Sequence, residues 1–160
     1  MKKTIMILLT AMLAMVISAC AGDKESTVEV KQSAKEIADQ MLEKVEQPAF
    51  MELTAEQLKD LYKIDAAKLA DYSVRVPLMN VKSNELAILK VKDAKDIPAI
   101  EAAVKQRAED AQKPFEHYLP DQYENAKNYQ VITKGNYVLF VISDRADELI
   151  KVYESFFKTK

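Results

Sequence analysis

The chain has 160 residues, 49% of them hydrophobic and 30% charged, with 23 basic side chains against 25 acidic ones. That balance excludes a disordered or fibrous chain and supplies apolar residues enough for one hydrophobic core. The small acidic excess, with no run of Lys or Arg, argues against a nucleic-acid partner, because phosphate binding needs a basic face.

Lys2 and Lys3 form a short positive start, and Thr4 to Ser18 is dominated by Ile, Leu, Met, Val and Ala. This has the form of an export signal. It stops short of the ~20 apolar residues a spanning helix needs, and Gly22, Asp23, Lys24 and Glu25 follow at once. The run closes on Ile17-Ser18-Ala19-Cys20, which resembles the lipobox of bacterial lipoproteins. The resemblance implies cleavage between Ala19 and Cys20, removal of residues 1–19, and a diacylglyceryl group on the Cys20 thiol. Cys20 is the only cysteine, so no disulfide competes for it within the chain. About two acyl chains suffice for stable anchoring. The expected location is extracytoplasmic, on the outer face of the cell membrane, with the membrane itself as a partner through Cys20. Losing Lys2 and Lys3 leaves 21 basic against 25 acidic groups, a formal charge of −4. Residues 20–32 read as the lipidated cysteine and a polar tether reaching at most ~40 Å, and 33–160 as a single domain.

Ser33 with Glu36 forms a capping-box pattern ahead of Ile37, Ala38, Met41, Leu42 and Val45, predicting a helix over 33–46. Thr54 and Gln57 repeat it, with Leu53 and Leu58 as a hydrophobic staple, for a short helix over 55–62. Tyr72, Val74, Val76 and Leu78 then alternate as a strand, which Pro77 assigns to a sheet edge or a bulge. After Ser83-Asn84, Leu86 to Val91 makes a second strand. Asp96 is expected to cap a long helix with Pro98 in its first turn and Ile100, Val104, Ala108 and Ala111 on its inner stripe, ending by Pro114. A connection with Tyr118, Pro120 and Tyr123 leads to a third strand over 129–133, and Gly135-Asn136 turns it into a fourth over 137–142. Asp144 is expected to cap a last helix carrying Leu149, Ile150, Tyr153, Phe156 and Phe157.

The predicted fold is therefore α+β: two N-terminal helices, then a two-layer ββα-ββα domain with a four-stranded antiparallel sheet. The strand order expected is 1-2-4-3, with the apolar fourth strand inside and the helices on one face. From Ile37 to Phe157 the chain also resembles the bacterial lipoproteins carrying the domain of unknown function 4358. The likeness lies in Tyr72-Ser73-Val74, Arg107, Phe115 with Tyr118 and Pro120, and Gly135-Asn136-Tyr137-Val138. It implies an exported lipoprotein of this fold and brings no catalytic residues.

Only Gly22 and Gly135 are present, so no glycine-rich phosphate cradle exists, and G-x-S-x-G is missing. His117 is the sole histidine, which excludes H-E-x-x-H and a Cys/His zinc cluster within one chain. No metal or other cofactor is expected. A triad of His117 with Ser73, Ser83, Ser143 or Ser155 stays formally open. The carboxylates at Asp93/Asp96, Glu109/Asp110 and Asp144/Asp147/Glu148 read as helix caps and first-turn charges rather than a hydrolytic pair. Arg107, beside the core stripe, is either an anion holder or the partner of a neighbouring acid, and with Tyr118 and Tyr123 it marks the candidate contact site; Tyr129 and Tyr137 are expected to add aromatic surface there. The resulting expectation is a non-enzymatic envelope lipoprotein binding a protein or ligand, with a small envelope hydrolase or an accessory component of a transporter as alternatives.

Overall fold

The computed structural model describes residues 30–158. Cys20, Ala19 and the signal lie outside the described residues. Among the described residues no helix is long and apolar enough to cross a membrane.

Helix α1 spans Ala34–Lys44 and helix α2 spans Ala55–Tyr62, each starting on the expected capping box: Ser33 and Thr54 accept from the amides of Glu36 and Gln57, whose side chains reach back. Strands follow at β1 (Phe50–Glu52), β2 (Leu69–Pro77), β3 (Glu85–Val91), β4 (Gln130–Lys134) and β5 (Tyr137–Ile142). Between them run α3 (Ile97–Gln112) and α4 (Pro120–Lys127), and α5 (Ala146–Ser155) closes the chain. The sheet order is β1-β2-β3-β5-β4, antiparallel throughout.

The four expected strands stand in the expected order, and a fifth, β1, is added at the edge. It pairs Phe50 with Pro77, Met51 with Val76 and Glu52 with Arg75. Three residues after Pro48 carry too little alternation to read as a strand alone; pairing with β2 makes them one. β1 also takes the edge from β2, contrary to the expectation from Pro77. Pro77 is tolerated because it is the last residue of its strand, and the irregularity in β2 falls between Leu69 and Asp71, at its opposite end. Gly135, at φ 58°, takes the left-handed position of the tight turn joining Lys134 to Tyr137.

The larger correction concerns layers. The sheet is covered on both faces, so the domain has three layers rather than two. One face packs α2 and α3 on Val74, Ala87, Leu89, Val138 and Phe140. The other packs α1 and α5 on Leu86, Ile88, Tyr137, Leu139 and Val141. The two ββα units thus send their helices to opposite faces. Successive residues of a strand point to opposite sides, so the unbroken apolar runs of β3 and β5 require cover on both.

Helix α1 is held to the sheet by charge as well. Arg75, with a side chain only 12% exposed, bonds Asp39 at 2.7 Å and lies 3.5 Å from Glu52, while the Ala34 amide donates to Asp71 at 2.6 Å. Val30 is already buried on this face, so packed chain begins before Ser33. The start of α1 therefore sits at the Leu69 end of β2, opposite the end described next.

Candidate functional site

Polar side chains sink into a core only where specific partners satisfy them, so a cluster of buried, paired polar residues marks a place worth following. Among the described residues the buried polar ones are Ser73, Ser83, Asn84, Glu85 and Ser143, and all but Ser73 cluster at one end of the sheet, where β3 begins and β5 ends.

Glu85 opens β3 with its carboxylate 1% exposed. Arg107, on the face of α3 that meets the sheet, grips it with two hydrogen bonds, Nε to Oε1 at 2.9 Å and Nη2 to Oε2 at 2.7 Å. The Tyr62 hydroxyl at the end of α2 donates to the same Oε1, and the Arg107 guanidinium lies 5.8 Å from the Tyr62 ring centre. Burial first, and the negative Glu85 second, hold the Tyr62 hydroxyl protonated well above the usual tyrosine range. Burial works against the Arg107 charge, but its bonds to Glu85 prevail and raise its pKa. Arg107 is thus the partner of an acid rather than a free anion holder.

Beside this pair Ser83 receives the Asn125 amide at 2.9 Å, and its backbone N–H donates to Gln122 at 3.0 Å. Gln47 Oε1 accepts from both Asn84 Nδ2 at 3.1 Å and Ser143 Oγ at 2.9 Å. The loop after α1, the heads of β3 and α5, and helix α4 are so stitched together by amides and hydroxyls. Above the stitching open two adjoining clefts. The larger, about 570 Å³, is walled by Gln47, Asn84, Gln122, Asn125 and Met79 among others. The second, about 400 Å³, shares Asp121, Asn125 and Asp144 with it and extends to Asn128 and Gln130. A third hollow of about 190 Å³ lies over Glu85 and Arg107 and is flanked by Phe115. The β2–β3 loop raises Leu78, Met79 and Val81 into solvent at 60%, 52% and 42% exposure.

The expected site residues are dispersed. Tyr118 stands 74% exposed between α3 and α4, lining none of these clefts. Tyr123 is half-buried on α4 with the Lys127 ammonium 5.2 Å from its ring. Tyr129 and Tyr137 add little surface there: Tyr129, just before β4, is half-buried with its ring on Phe140, and Tyr137, on β5, is buried edge-on against Phe157 on the other face of the sheet. His117 is exposed and neighbours only Glu116, and among the described residues it bonds no serine. The expected caps also move. Asp96 makes no side-chain cap; Asp93, capping a preceding short turn of 3₁₀ helix, does. Asp144 leaves the head of α5 to Ser143, whose Oγ accepts from the Arg145 amide at 3.0 Å.

Glu85, Asn84, Gln47 and Gln122 carry the site and have no motif. Their one sequence signal is a polar trio, Ser83-Asn84-Glu85, set directly against the apolar run of β3.

Fold and site together define a small three-layer domain with an antiparallel sheet and an amide-lined groove at one sheet end. The chain belongs to the family described as domain of unknown function DUF4358, which matches residues 43–143. The matched span holds the whole sheet, α2, α3 and α4, while α5 and nearly all of α1, the helices of the second face, flank it. No curated protein and no solved structure matches the chain.

Proposed function

We propose that this chain is a lipid-anchored extracytoplasmic protein whose domain is a non-enzymatic binding module, using the groove at the Glu85 end of the sheet. The observation that carries the binding reading is the pair of adjoining clefts over buried, amide-linked side chains, rimmed by the exposed Leu78, Met79 and Val81. A concave wall with a few placed polar groups beside exposed apolar residues is how ligand and partner sites are built. The buried groups support binding over catalysis. Glu85 is spent on Arg107 and Tyr62, and Ser83 and Ser143 are spent on amides, so each holds another in place rather than standing free to attack or to move a proton.

The anchor rests on Ile17-Ser18-Ala19-Cys20 and on Cys20 being the lone cysteine. The expected envelope partner is a protein or ligand met at the outer membrane face. Its test combines capture of partners from membranes by the intact protein with a broad hydrolase screen, run beside the Cys20→Ser variant. Capture lost when the groove is altered, no turnover, and release or blocked processing of Cys20→Ser are the expected results. Turnover without a captured partner would sink the binding reading, and normal cleavage with retained membrane attachment of Cys20→Ser would sink the anchor.

A further inference from the structure

We infer that the end of the sheet opposite the groove is a membrane-facing surface, its lysines seated on anionic lipid headgroups so that the groove opens away from the bilayer. This rests on the anchor reading and adds to it a second contact and an orientation.

The contacts place one set of elements at this end. The Ala34 amide, which opens α1, donates to Asp71 near the head of β2. There β3 ends and β5 begins, with Lys90 opposite Tyr137, and Phe157, just past α5, sets its ring 5.4 Å from that of Tyr137. Val30, buried on the same face, is ten residues from Cys20, so the residue that would carry lipid lies within ~35 Å of it. The seven residues of β3 put the groove about 20 Å farther along. The anchored chain therefore enters the domain at the end remote from the groove.

Charge follows the same axis. Lys31, Lys92 and Lys158 are exposed at this end, and Lys90 is half-buried with its ammonium 5.2 Å from the Tyr137 ring centre. Among the described residues none of these four stands within ion-pair distance of a carboxylate. Lys68, Lys95 and Lys134 are present too, paired with Asp96, Asp93 and Glu154. The other acids nearby, Glu36, Asp65 and Asp71, each accept a backbone amide, those of Ser33, Ala67 and Ala34. The surplus here is positive. At the groove the balance reverses: leaving aside Glu124, which Lys127 pairs, Glu46, Asp121, Asp144 and Asp147 outnumber Lys82 and Arg145 on the walls of the two clefts. Between Cys20 and Val30, Asp23, Glu25 and Glu29 outnumber Lys24, so the attraction comes from the folded domain. Beside an anionic bilayer each lysine is worth about a fivefold change in binding, an effect that fades within a Debye length. Lipid on Cys20 brings the lysines into that range, and repulsion of the groove's acids turns the groove outward.

The test uses the full-length chain purified from membranes, with the mass of the peptide containing Cys20 measured first. A single cysteine is introduced for dye labelling, Ala94→Cys at the lysine end or Asn80→Cys in the β2–β3 loop, both at exposed positions. The protein is placed in vesicles of phosphatidylcholine, alone or mixed with phosphatidylglycerol, that carry an energy acceptor on their headgroups. Transfer from Ala94→Cys is expected to exceed that from Asn80→Cys, and phosphatidylglycerol to widen the difference until added salt removes it. Lys31→Gln with Lys92→Gln and Lys158→Gln should lower the ratio of docked to undocked protein about a hundredfold and so abolish the effect of phosphatidylglycerol. Lys44→Gln with Lys59→Gln and Lys105→Gln, the same charge change at exposed positions elsewhere, should preserve it. Equal transfer from both sites, no response to phosphatidylglycerol, or equal loss in both triple variants would overturn the inference and leave a lipidated Cys20 standing. Transfer that rises with protein density instead of with phosphatidylglycerol would give the face to a second copy and overturn it as well. A Cys20 peptide without lipid would remove the anchor, and this inference with it.

Discussion

Glu85 shows at the scale of one residue how this molecule spends its polar groups. A carboxylate buried this deeply survives only with its charge matched and its oxygens bonded; Arg107 supplies the opposite charge and Tyr62 a hydrogen bond, from two different helices. Arg107→Ala would leave it uncompensated and should cost about 3–5 kcal/mol, measured as the fall in unfolding free energy in urea. Glu85→Leu with Arg107→Leu, which removes both charges, should cost far less than the two single changes added together; equal losses would mean that the pair does not couple. Tyr62→Phe should cost about 1.5–3 kcal/mol, the worth of a hydrogen bond to a charged group. It should also change the alkaline limb of the stability curve. With its folded pKa raised, Tyr62 contributes stability that is complete below the ordinary tyrosine value of about 10 and fades as pH rises above it. Tyr62→Phe should therefore flatten the decline above that pH. Arg107 was legible in the sequence as a cation at the border of an apolar stripe. Its partner was not, because Glu85 lies in a strand reached across the sheet–helix interface, and its one local signal, the polar trio Ser83-Asn84-Glu85 ahead of β3, does not point to Arg107.

At the scale of elements, local chemistry read well where it was self-contained. The capping boxes at Ser33 and Thr54 close within four residues, so both helices begin where their sequences say. An aspartate before an amphipathic run caps a helix only if it holds the cap position in extended geometry; the 3₁₀ turn over Ala94–Asp96 prevents this at α3, and at α5 the cap position falls to Arg145. Asp96 lies instead in the helical region at φ −83°, ψ −12°. Ser143 has a double role, accepting from the Arg145 amide while donating to Gln47 across the groove. Ser143→Ala should accordingly cost about 1–2 kcal/mol, and Asp144→Ala less than about 0.5 kcal/mol, read from paired thermal melts. The reverse ranking would restore Asp144 as the cap. Helix α4 was hidden for a related reason: Pro120 and the polar Asp121, Gln122, Glu124 and Asn125 resemble a loop, and only Ala126 of this helix is fully buried.

For the whole molecule, the strand order followed from hairpin turns and apolar content, whereas the number of layers did not. Periodicity says that a helix has an inner face but not which side of a sheet it seeks. The decisive clue was present in β3 and β5, whose apolar runs leave no face for water. The family match sharpens the point, since residues 43–143 contain the sheet and one helical layer but lack α5 and almost all of α1. Without those helices Leu86, Ile88, Tyr137, Leu139 and Val141 would lie open on the second face. At about 25 cal/mol per Å², five such side chains returned to water are worth several kcal/mol, a large share of the ~5–15 kcal/mol that holds a domain folded. A chain cut to residues 43–143 should therefore aggregate, or bind a hydrophobic dye and unfold without cooperativity. Residues 30–158 should give a single sharp transition. If the shorter chain melted cooperatively as a monomer, the second helical layer would be an accessory to the fold rather than part of its core.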